Sequence, residues 1–155
     1  MKISKKSLLI TAVTFATAIS ASTLAFAATE AQEDAADYRK STFTMVGHHF
    51  GALAAMVKGE VDFDSDVYTK NAEALAAVTM LAPNGFEVEG TIEGSRSKAE
   101  IWENKADFDE KLKGFQVASA ALAEAAKTGD EKAAKAAFGD VAKTCKGCHS
   151  EYRSR

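Results

Sequence analysis

The sequence predicts an all-α fold, an antiparallel four-helix bundle with up-down-up-down topology. Three observations favour it. Alanine is abundant while Pro83 is the single proline. Hydrophobic residues recur at helical spacing in several segments, and the alternation typical of a β-strand is almost absent. Four antiparallel helices are the simplest arrangement for such a chain.

The first predicted helix covers residues 30–58. Its hydrophobic residues fall at offsets 0, 3, 4, 7, 11 and 14, and they are Phe43, Val46, Gly47, Phe50, Ala54 and Val57. This spacing places them on one face of a helix. We expect Gly59 to end the helix, because glycine readily adopts the positive φ of a C-terminal cap.

Capping and breaking residues bound the second helix. Ser65 or Asp66 is the predicted N-cap, and "PNG" at 83–85 ends the helix because proline lacks an amide donor. The connection over residues 83–103 is long for a small bundle. We therefore expect it to pack over another part of the molecule.

The last two helices follow this connection. The third runs from about residue 104 to 127. "TGD" at 128–130 supplies a C-cap glycine and then an N-capping aspartate, so the fourth helix begins near Glu131. All four helices together form one domain.

Residues 1–27 have the pattern of a signal peptide. Lys2, Lys5 and Lys6 precede an uncharged apolar run, and "AFA" at 25–27 is a small-x-small cleavage pattern. We expect cleavage after Ala27, export to the periplasm and a mature domain at residues 28–155. The apolar run is short for a membrane span, so no membrane association is expected after cleavage; a retained anchor is the alternative.

The charge of the expected mature chain excludes one class of partner. Residues 1–27 carry three lysines and no acid, so 16 Lys+Arg and 22 Asp+Glu remain, a net charge of −6. This acidity argues against nucleic acid, whose phosphates need a basic surface. It is compatible with a basic protein partner.

The segment "KTCKGCHSEYR" at 143–153 contains both cysteines of the chain and a histidine directly after the second. If the fourth helix continues through it, Cys145, Cys148 and His149 project from the same face as Phe138 and Val141. C-x-x-C-H is the attachment pattern of c-type haem. Two thiols would form thioethers with one haem, and the histidine would reach its iron.

Other chemistries fit this cluster less well. A structural zinc site needs four protein ligands, and the cluster offers three. A redox dithiol usually lies at a helix N-terminus, where the dipole lowers the thiol pKa. A disulfide between the two cysteines would close a very small loop and stabilise little. One covalent haem c per chain, with His149 as the metal ligand, is therefore the prediction.

The second axial position of the iron has no obvious protein ligand. The upstream candidates are Met45, Met56, Met80, His48 and His49. At 100° per residue the four in the first helix do not share the face of Phe43, and Met80 lies two residues past Val78, off the hydrophobic face of the second helix. One of them remains a ligand if the helix phase differs. Otherwise the iron is five-coordinate, high-spin and crowded by Phe43.

The chain resembles the cytochromes c′, the class II c-type cytochromes. The residues that carry the resemblance are "DYRKSTFTMVGHHFGALAAMVKGE" in the first helix, "AEIW" at 99–102, and "AAFGDVAKTCKGCHSEYR" in the last. The resemblance implies a four-helix bundle with the haem between helices, often as a homodimer. It also implies thioethers at Cys145 and Cys148 and proximal ligation by His149.

The resemblance further implies roles for five other residues. Arg39 and Lys40 would contact the haem propionates, and Arg153 would lie beside the proximal face. Phe43 occupies the position where low-spin relatives carry a ligating methionine, which places the chain with the high-spin, gas-binding group. Arg96 lies in a loop expected to cover the haem edge and is predicted to contact the cofactor, although relatives often carry an acidic or small residue there.

These observations predict a periplasmic haem protein that binds nitric oxide, and more weakly carbon monoxide, for sequestration or protection. The resemblance implies that nitric oxide can end on the proximal side by replacing His149. The alternative is an electron-transfer cytochrome with a six-coordinate low-spin haem and a redox protein partner. No general acid or base is indicated by the sequence, so we do not expect an enzyme.

Overall fold

The computed structural model describes residues 28–155, which form four long helices. These are α1 (Glu30–Lys58), α2 (Ser65–Thr79), α4 (Lys105–Lys127) and α5 (Glu131–Tyr152). Between α2 and α4 lie a 3-10 helix at Ala82–Phe86 and the short helix α3 at Glu100–Glu103. The predicted signal peptide lies outside the described residues.

Two of the predicted helix ends are confirmed. Gly59 ends α1 with a φ of 73°, in the left-handed region. Asp130 is the N-cap of α5, where its carboxylate accepts the amides of Lys132 and Ala133 at 2.9 and 3.1 Å. Local capping chemistry therefore fixes where these helices stop and start.

The predicted N-cap of α2 was wrong by one or two residues. The cap is Asp64, whose carboxylate accepts the amide of Val67 at 2.9 Å. Ser65 and Asp66 both lie after it, inside the first turn. Asp64 and Asp66 carry the same capping side chain, so the sequence alone did not show which of them caps the helix.

Hydrogen bonds between helices establish the antiparallel order. Tyr68, near the start of α2, donates to the carbonyl of Ala134 near the start of α5 at 3.2 Å. Thr69 donates to the carbonyl of Ala126, near the end of α4, at 3.1 Å. The starts of α2 and α5 thus meet the ends of α1 and α4 at one end of the bundle, which we call the closed end. The predicted four-helix bundle is confirmed.

The buried face of α1 is offset from the predicted stripe. Its buried residues are Ala35, Arg39, Thr42, Val46, Leu53 and Met56. Phe43 and Phe50 are half-buried, and Gly47 is exposed. The prediction was wrong by about one residue, roughly 100° of rotation, because α1 packs mainly on α2 while its phenylalanines lie to one side of that contact.

The helices α1 and α5 contact each other much less than the other neighbouring pairs do. Phe50 of α1 stacks on Phe138 of α5, with ring centroids 4.5 Å apart and planes inclined by 18°. We call the stretch between this stack and the C-terminal end of α5 the α1–α5 seam. The seam is where the sequence places the cysteine motif.

Candidate haem-binding site

The stack of Phe50 on Phe138 shows which residues of α1 and α5 lie at the same height along the seam. Phe43 lies seven residues before Phe50, and Cys145 lies seven residues after Phe138. Seven residues are about two helical turns, a rise of about 10 Å, and the two helices run in opposite directions. Phe43 and Cys145 therefore lie at the same level, on the helix faces that meet at the stack.

Both cysteines lie on the inner side of α5. Cys145 and Cys148 are half-buried, pack against the hydrophobic core and are not joined to each other. This confirms their predicted placement on the core-facing stripe. Two thiols one turn apart on one helix face are the geometry that attachment to a single flat group requires.

His149 lies at the rim of the seam rather than on the buried stripe. It is exposed, which differs from the prediction that it projects from the core-facing side with the cysteines. The reason is that α5 ends at Tyr152, and one residue past Cys148 the helix surface has turned about 100° away from the core. The imidazole stands one turn beyond Cys145.

Burial makes both thiols poor nucleophiles in solution. It raises the pKa of Cys145 and raises that of Cys148 to about 11. The positive charge of Lys111 acts on Cys148 in the opposite direction without reversing the effect. A redox dithiol needs a lowered thiol pKa, so the structure supports rejecting that alternative.

The imidazole of His149 is biased towards its neutral form. Partial burial of the ring is the main cause that lowers the pKa of His149, and the positive charges of Arg153 and, to a smaller extent, Arg96 lower it further. A histidine must be neutral to bind a metal through its ring nitrogen. The surroundings of His149 therefore favour the state that ligates.

Arg39 is buried, with 5% of its surface exposed, yet its guanidinium is only partly paired. Nη1 donates to the carbonyl of Gly85 at 2.7 Å. Nε and Nη2 have no hydrogen-bond partner among the described residues. Burial lowers the Arg39 pKa, and a buried cation of this kind needs an anion or acceptor.

The unpaired donors of Arg39 fit the carboxylates of a haem. Arg39 lies one turn before Phe43 on α1, and hence about 6 Å further along the seam. The haem propionates predicted to contact it are carboxylates, which accept two hydrogen bonds from a guanidinium. The residues present at the seam thus match the chemistry of a c-type haem: two thiols, a neutral imidazole and a buried cation.

The 3-10 helix and α3 hold Arg39 in place, and the sequence did not identify this. The Arg39 guanidinium lies 5.5 Å from the ring centroid of Phe86 and 5.6 Å from that of Trp102. The Trp102 indole donates to the carbonyl of Phe86 at 3.2 Å. These residues and Gly85 form the wall of the site beside α1, and the long connection does pack over the bundle as expected.

Gly85 is the part of this wall that could have been detected from the sequence. A Cβ atom added there would lie 2.6 Å from Cγ of Arg39 and 3.2 Å from Cδ1 of Tyr38. Only glycine lets the connection approach α1 this closely. The signal in the sequence is a glycine within the short "PNGF" segment.

Phe43 is half-buried and packs edge-to-face on Phe86, with centroids 6.2 Å apart. It therefore lies at the inner side of the seam, as the prediction of a crowded axial position requires. Of the other predicted residues, Lys40 is exposed, next to the buried Arg39. The resemblance implied the same propionate contact for Arg39 and Lys40, but only Arg39 is buried.

Arg96 and Arg153 come together at the end of α5. Both are exposed, and the charge of each acts on His149. The Arg96 guanidinium donates twice to the carbonyl of Ser154, at 3.2 Å from Nε and 2.9 Å from Nη2. The structure thus engages Arg96 with the C-terminal segment, where the sequence had predicted a contact to the cofactor.

The methionines and histidines weighed as second axial ligands are dispersed. Met45 and Met80 are exposed, whereas Met56 is buried in the core near the closed end. His49 is hydrogen-bonded to Asn71 of α2 at 3.0 Å. His48 is exposed. The prediction placed Met56 off the core-facing stripe of α1, and this was wrong because Met56 belongs to the buried face of that helix.

Two further features of the described residues bear on the class of site. Among residues 28–155, no three His, Cys, Asp or Glu side chains are grouped as a metal-binding cluster requires. The helices of this part of the chain include none whose length and apolar character would let it cross a membrane.

The fold and the site define an antiparallel four-helix-bundle haem protein with C-x-x-C-H in its last helix. The family model described as Cytochrome C' matches residues 34–153, and the chain belongs to the cytochrome c′ family. Members of this family are haem carriers and ligand binders rather than enzymes. The resemblance deduced from the sequence is confirmed.

Individual relatives agree with this assignment. Cytochrome c' from Alcaligenes xylosoxydans xylosoxydans is 39% identical over 123 residues, which cover 79% of this chain and 95% of that protein. The structure of cytochrome c prime from Shewanella frigidimarina is similar, with a TM-score of 0.78 and 40% identity over 83% of this chain and 100% of the other. A nitric oxide complex of a variant of cytochrome c prime from Alcaligenes xylosoxidans has a TM-score of 0.75 and 38% identity, and covers 83% and 99% of the two chains.

Proposed function

We propose that this protein is an exported, periplasmic c-type cytochrome that binds nitric oxide and similar small diatomic gases, for sequestration or protection. Residues 1–27 would be its cleaved signal peptide and residues 28–155 its haem-binding domain. Cys145 and Cys148 would hold one haem covalently, and His149 would ligate its iron. The single observation that carries the proposal is that both thiols pack, half-buried, against the core at the α1–α5 seam, with Cys145 level with Phe43.

Arg39 would hold the acidic edge of the haem, with Lys40 nearby in solvent. Its buried Nε and Nη2 have no acceptor among the described residues, and a carboxylate supplies one. Arg96 and Arg153 lie at the His149 side instead. Arg39 would thus hold the group from the α1 side of the seam, and His149 with its neighbouring arginines from the α5 side.

The chemistry that a haem supplies is an iron with one axial position open to a diatomic ligand. Phe43 decides what enters there, because its ring is wedged against Phe86 and lies level with Cys145. A ligand on that side must displace the ring, which disfavours carbon monoxide and slows nitric oxide. The iron would be five-coordinate and high-spin, since the methionine and histidine candidates lie on other faces.

Absorption spectroscopy of the reduced protein tests the proposal. We expect a high-spin ferrous spectrum that changes on addition of nitric oxide. A low-spin spectrum that responds to neither nitric oxide nor carbon monoxide would overturn the gas-binding function and favour the six-coordinate electron carrier. That carrier would need a redox partner, and the acidic chain would suit a basic one.

A pair of phenylalanine variants tests the role assigned to Phe43. Phe43→Ala should bind carbon monoxide at least about tenfold more tightly, the change that corresponds to about 1.4 kcal/mol. Phe50→Ala is the matched control, because Phe50 is also half-buried on the same face of α1 but stacks on Phe138. Equal affinities in Phe43→Ala and the reference protein would remove Phe43 from the ligand's path.

We also expect a homodimer, as the family resemblance implies. The exposed Met45 and His48 on α1 are available to such an interface, whereas the buried Met56 is not. Sedimentation equilibrium of the holoprotein measures the assembly directly. A monomer at all concentrations tested would contradict this expectation and leave the haem site unchanged.

A further inference from the structure

A short antiparallel pairing joins the long connection to the end of the chain. Ser97 pairs with Arg153 as an isolated β-bridge. The Lys98 amide donates to the carbonyl of Tyr152 at 3.1 Å, and the Ser154 amide donates to the carbonyl of Arg96 at 2.9 Å. We call these contacts between residues 96–98 and 152–154 the C-terminal clasp.

The side chain of Arg96 reinforces the clasp. Its Nε and Nη2 both donate to the carbonyl of Ser154, at 3.2 and 2.9 Å, and Oγ of Ser154 donates to the carbonyl of Arg96 at 3.3 Å. Arg96 thus holds Ser154 through main-chain and side-chain atoms together. Arginine suits this role because its planar fork presents several donors in fixed directions.

The clasp fixes Arg153 between two anchored neighbours. Tyr152 on one side and Ser154 on the other are both hydrogen-bonded to the connection. Arg153 itself is extended, with φ −121° and ψ 129°, so the helix ends there and its side chain can no longer be placed by helical geometry. Its direction is set by the pairing with Ser97 instead.

The charges of Arg153 and Arg96 both act on His149, and the bridge to Ser97 fixes the backbone of Arg153 beside the residue that follows Arg96. We propose that Arg96 is a positioning residue for Arg153: by clasping residues 152–154 it fixes the Arg153 guanidinium beside His149. The inference rests on the proposed function in that His149 is taken as the iron ligand. It differs from the role predicted for Arg96, which was direct contact with the cofactor.

The consequence is electrostatic. Two guanidinium groups beside the iron ligand disfavour additional positive charge there, so the clasp favours the reduced iron. If Arg96 acts through Arg153, its removal should cancel most of the effect of Arg153 as well. If Arg96 acts on its own, the two effects should add.

A double-mutant cycle on the holoprotein separates these cases. The reduction potential is measured at low ionic strength, where surface charges are least screened, for Arg96→Ala, Arg153→Ala and the double variant. We expect both single variants to have lower potentials. The shift caused by Arg153→Ala should fall to less than half when Arg96→Ala is already present; additive shifts would overturn the proposal.

Arg155→Ala is the matched control. It removes one positive charge from the same C-terminal segment, and among the described residues the structure gives its side chain no ion pair. Its effect should add to that of Arg153→Ala. Arg96→Lys keeps the charge but loses the planar fork, so it should weaken the clasp and lower the potential less than Arg96→Ala does.

Hydrogen exchange tests the clasp without reference to the haem. The Ser154 and Lys98 amides should exchange about tenfold faster in Arg96→Ala, which removes both donations of the guanidinium to the Ser154 carbonyl, and at the reference rate in Arg155→Ala. Unchanged exchange in Arg96→Ala would overturn the clasp. A protein that carries haem but binds no gas would refute the proposed function alone, because the potentials would still be measurable.

Discussion

Replacing Arg39 by methionine should cost the holoprotein several kcal/mol of unfolding free energy. Methionine keeps the apolar packing of the arginine stem but removes every donor. The carbonyl of Gly85 loses its 2.7 Å hydrogen bond, which is worth about 1.5–3 kcal/mol from a charged donor. Leaving a buried anionic partner unpaired costs about 3–5 kcal/mol, and since these contributions overlap we expect a loss of about 3–5 kcal/mol.

Lys40→Met is the matched control for this prediction. Lys40 is the next residue of the same helix and carries the same charge, but it is exposed, so its replacement should change the stability by less than about 0.5 kcal/mol. Both variants are compared by urea unfolding of the holoprotein, followed by circular dichroism and haem absorption. A loss below about 1 kcal/mol for Arg39→Met, within the spread of ordinary substitutions, would refute the argument that an anion completes the Arg39 site.

Three further predictions concern attachment, packing and pH. Replacing Cys145 and Cys148 by serine should abolish covalent haem, as measured by the mass of the denatured protein; retained covalent haem would refute the attachment site. Gly85→Ala should destabilise the protein by about 1–3 kcal/mol through overpacking, whereas Gly114→Ala, which meets open space, should be neutral or stabilising in thermal unfolding. Burial raises the pKa of Tyr68 from 10.0 to about 12, so the unfolded chain releases this proton first and stability falls as pH rises from about 10 to about 12. Tyr68→Phe should lose less stability over that interval in urea unfolding, and an identical loss would contradict the assignment.

The helices and their ends were largely predictable because they depend on local chemistry. Gly59 and Asp130 act through their own backbone geometry and their own side-chain caps, which a sequence displays directly. The rotation of α1 was not predictable to better than one residue. Apolar residues that face α2 and those that face α5 form one broad arc, and periodicity alone does not divide it.

The cysteine motif was predictable for the same reason, since its spacing is local. The role of Arg39 was not, because an arginine is usually exposed and only the approach of Gly85, Phe86 and Trp102 buries it. The C-terminal clasp depends on residues more than fifty positions apart, whose meeting no local pattern indicates. The features that could not be predicted, the burial of Arg39 and the C-terminal clasp, are therefore those formed by tertiary contacts of the long connection.

The stack of Phe50 on Phe138 divides the bundle into two parts of different character. Towards the closed end, Leu53, Tyr68 and Leu122 are completely buried among protein side chains, and that part is held together by its own core. Beyond the stack the cysteines and Phe43, along the α1–α5 seam, are only half-buried, whereas Phe108 and Ile101 on the side of the long connection are buried. A chain without its cofactor should therefore loosen from the seam end and keep the closed end folded, so that loss of haem would be registered as local unfolding rather than collapse of the domain.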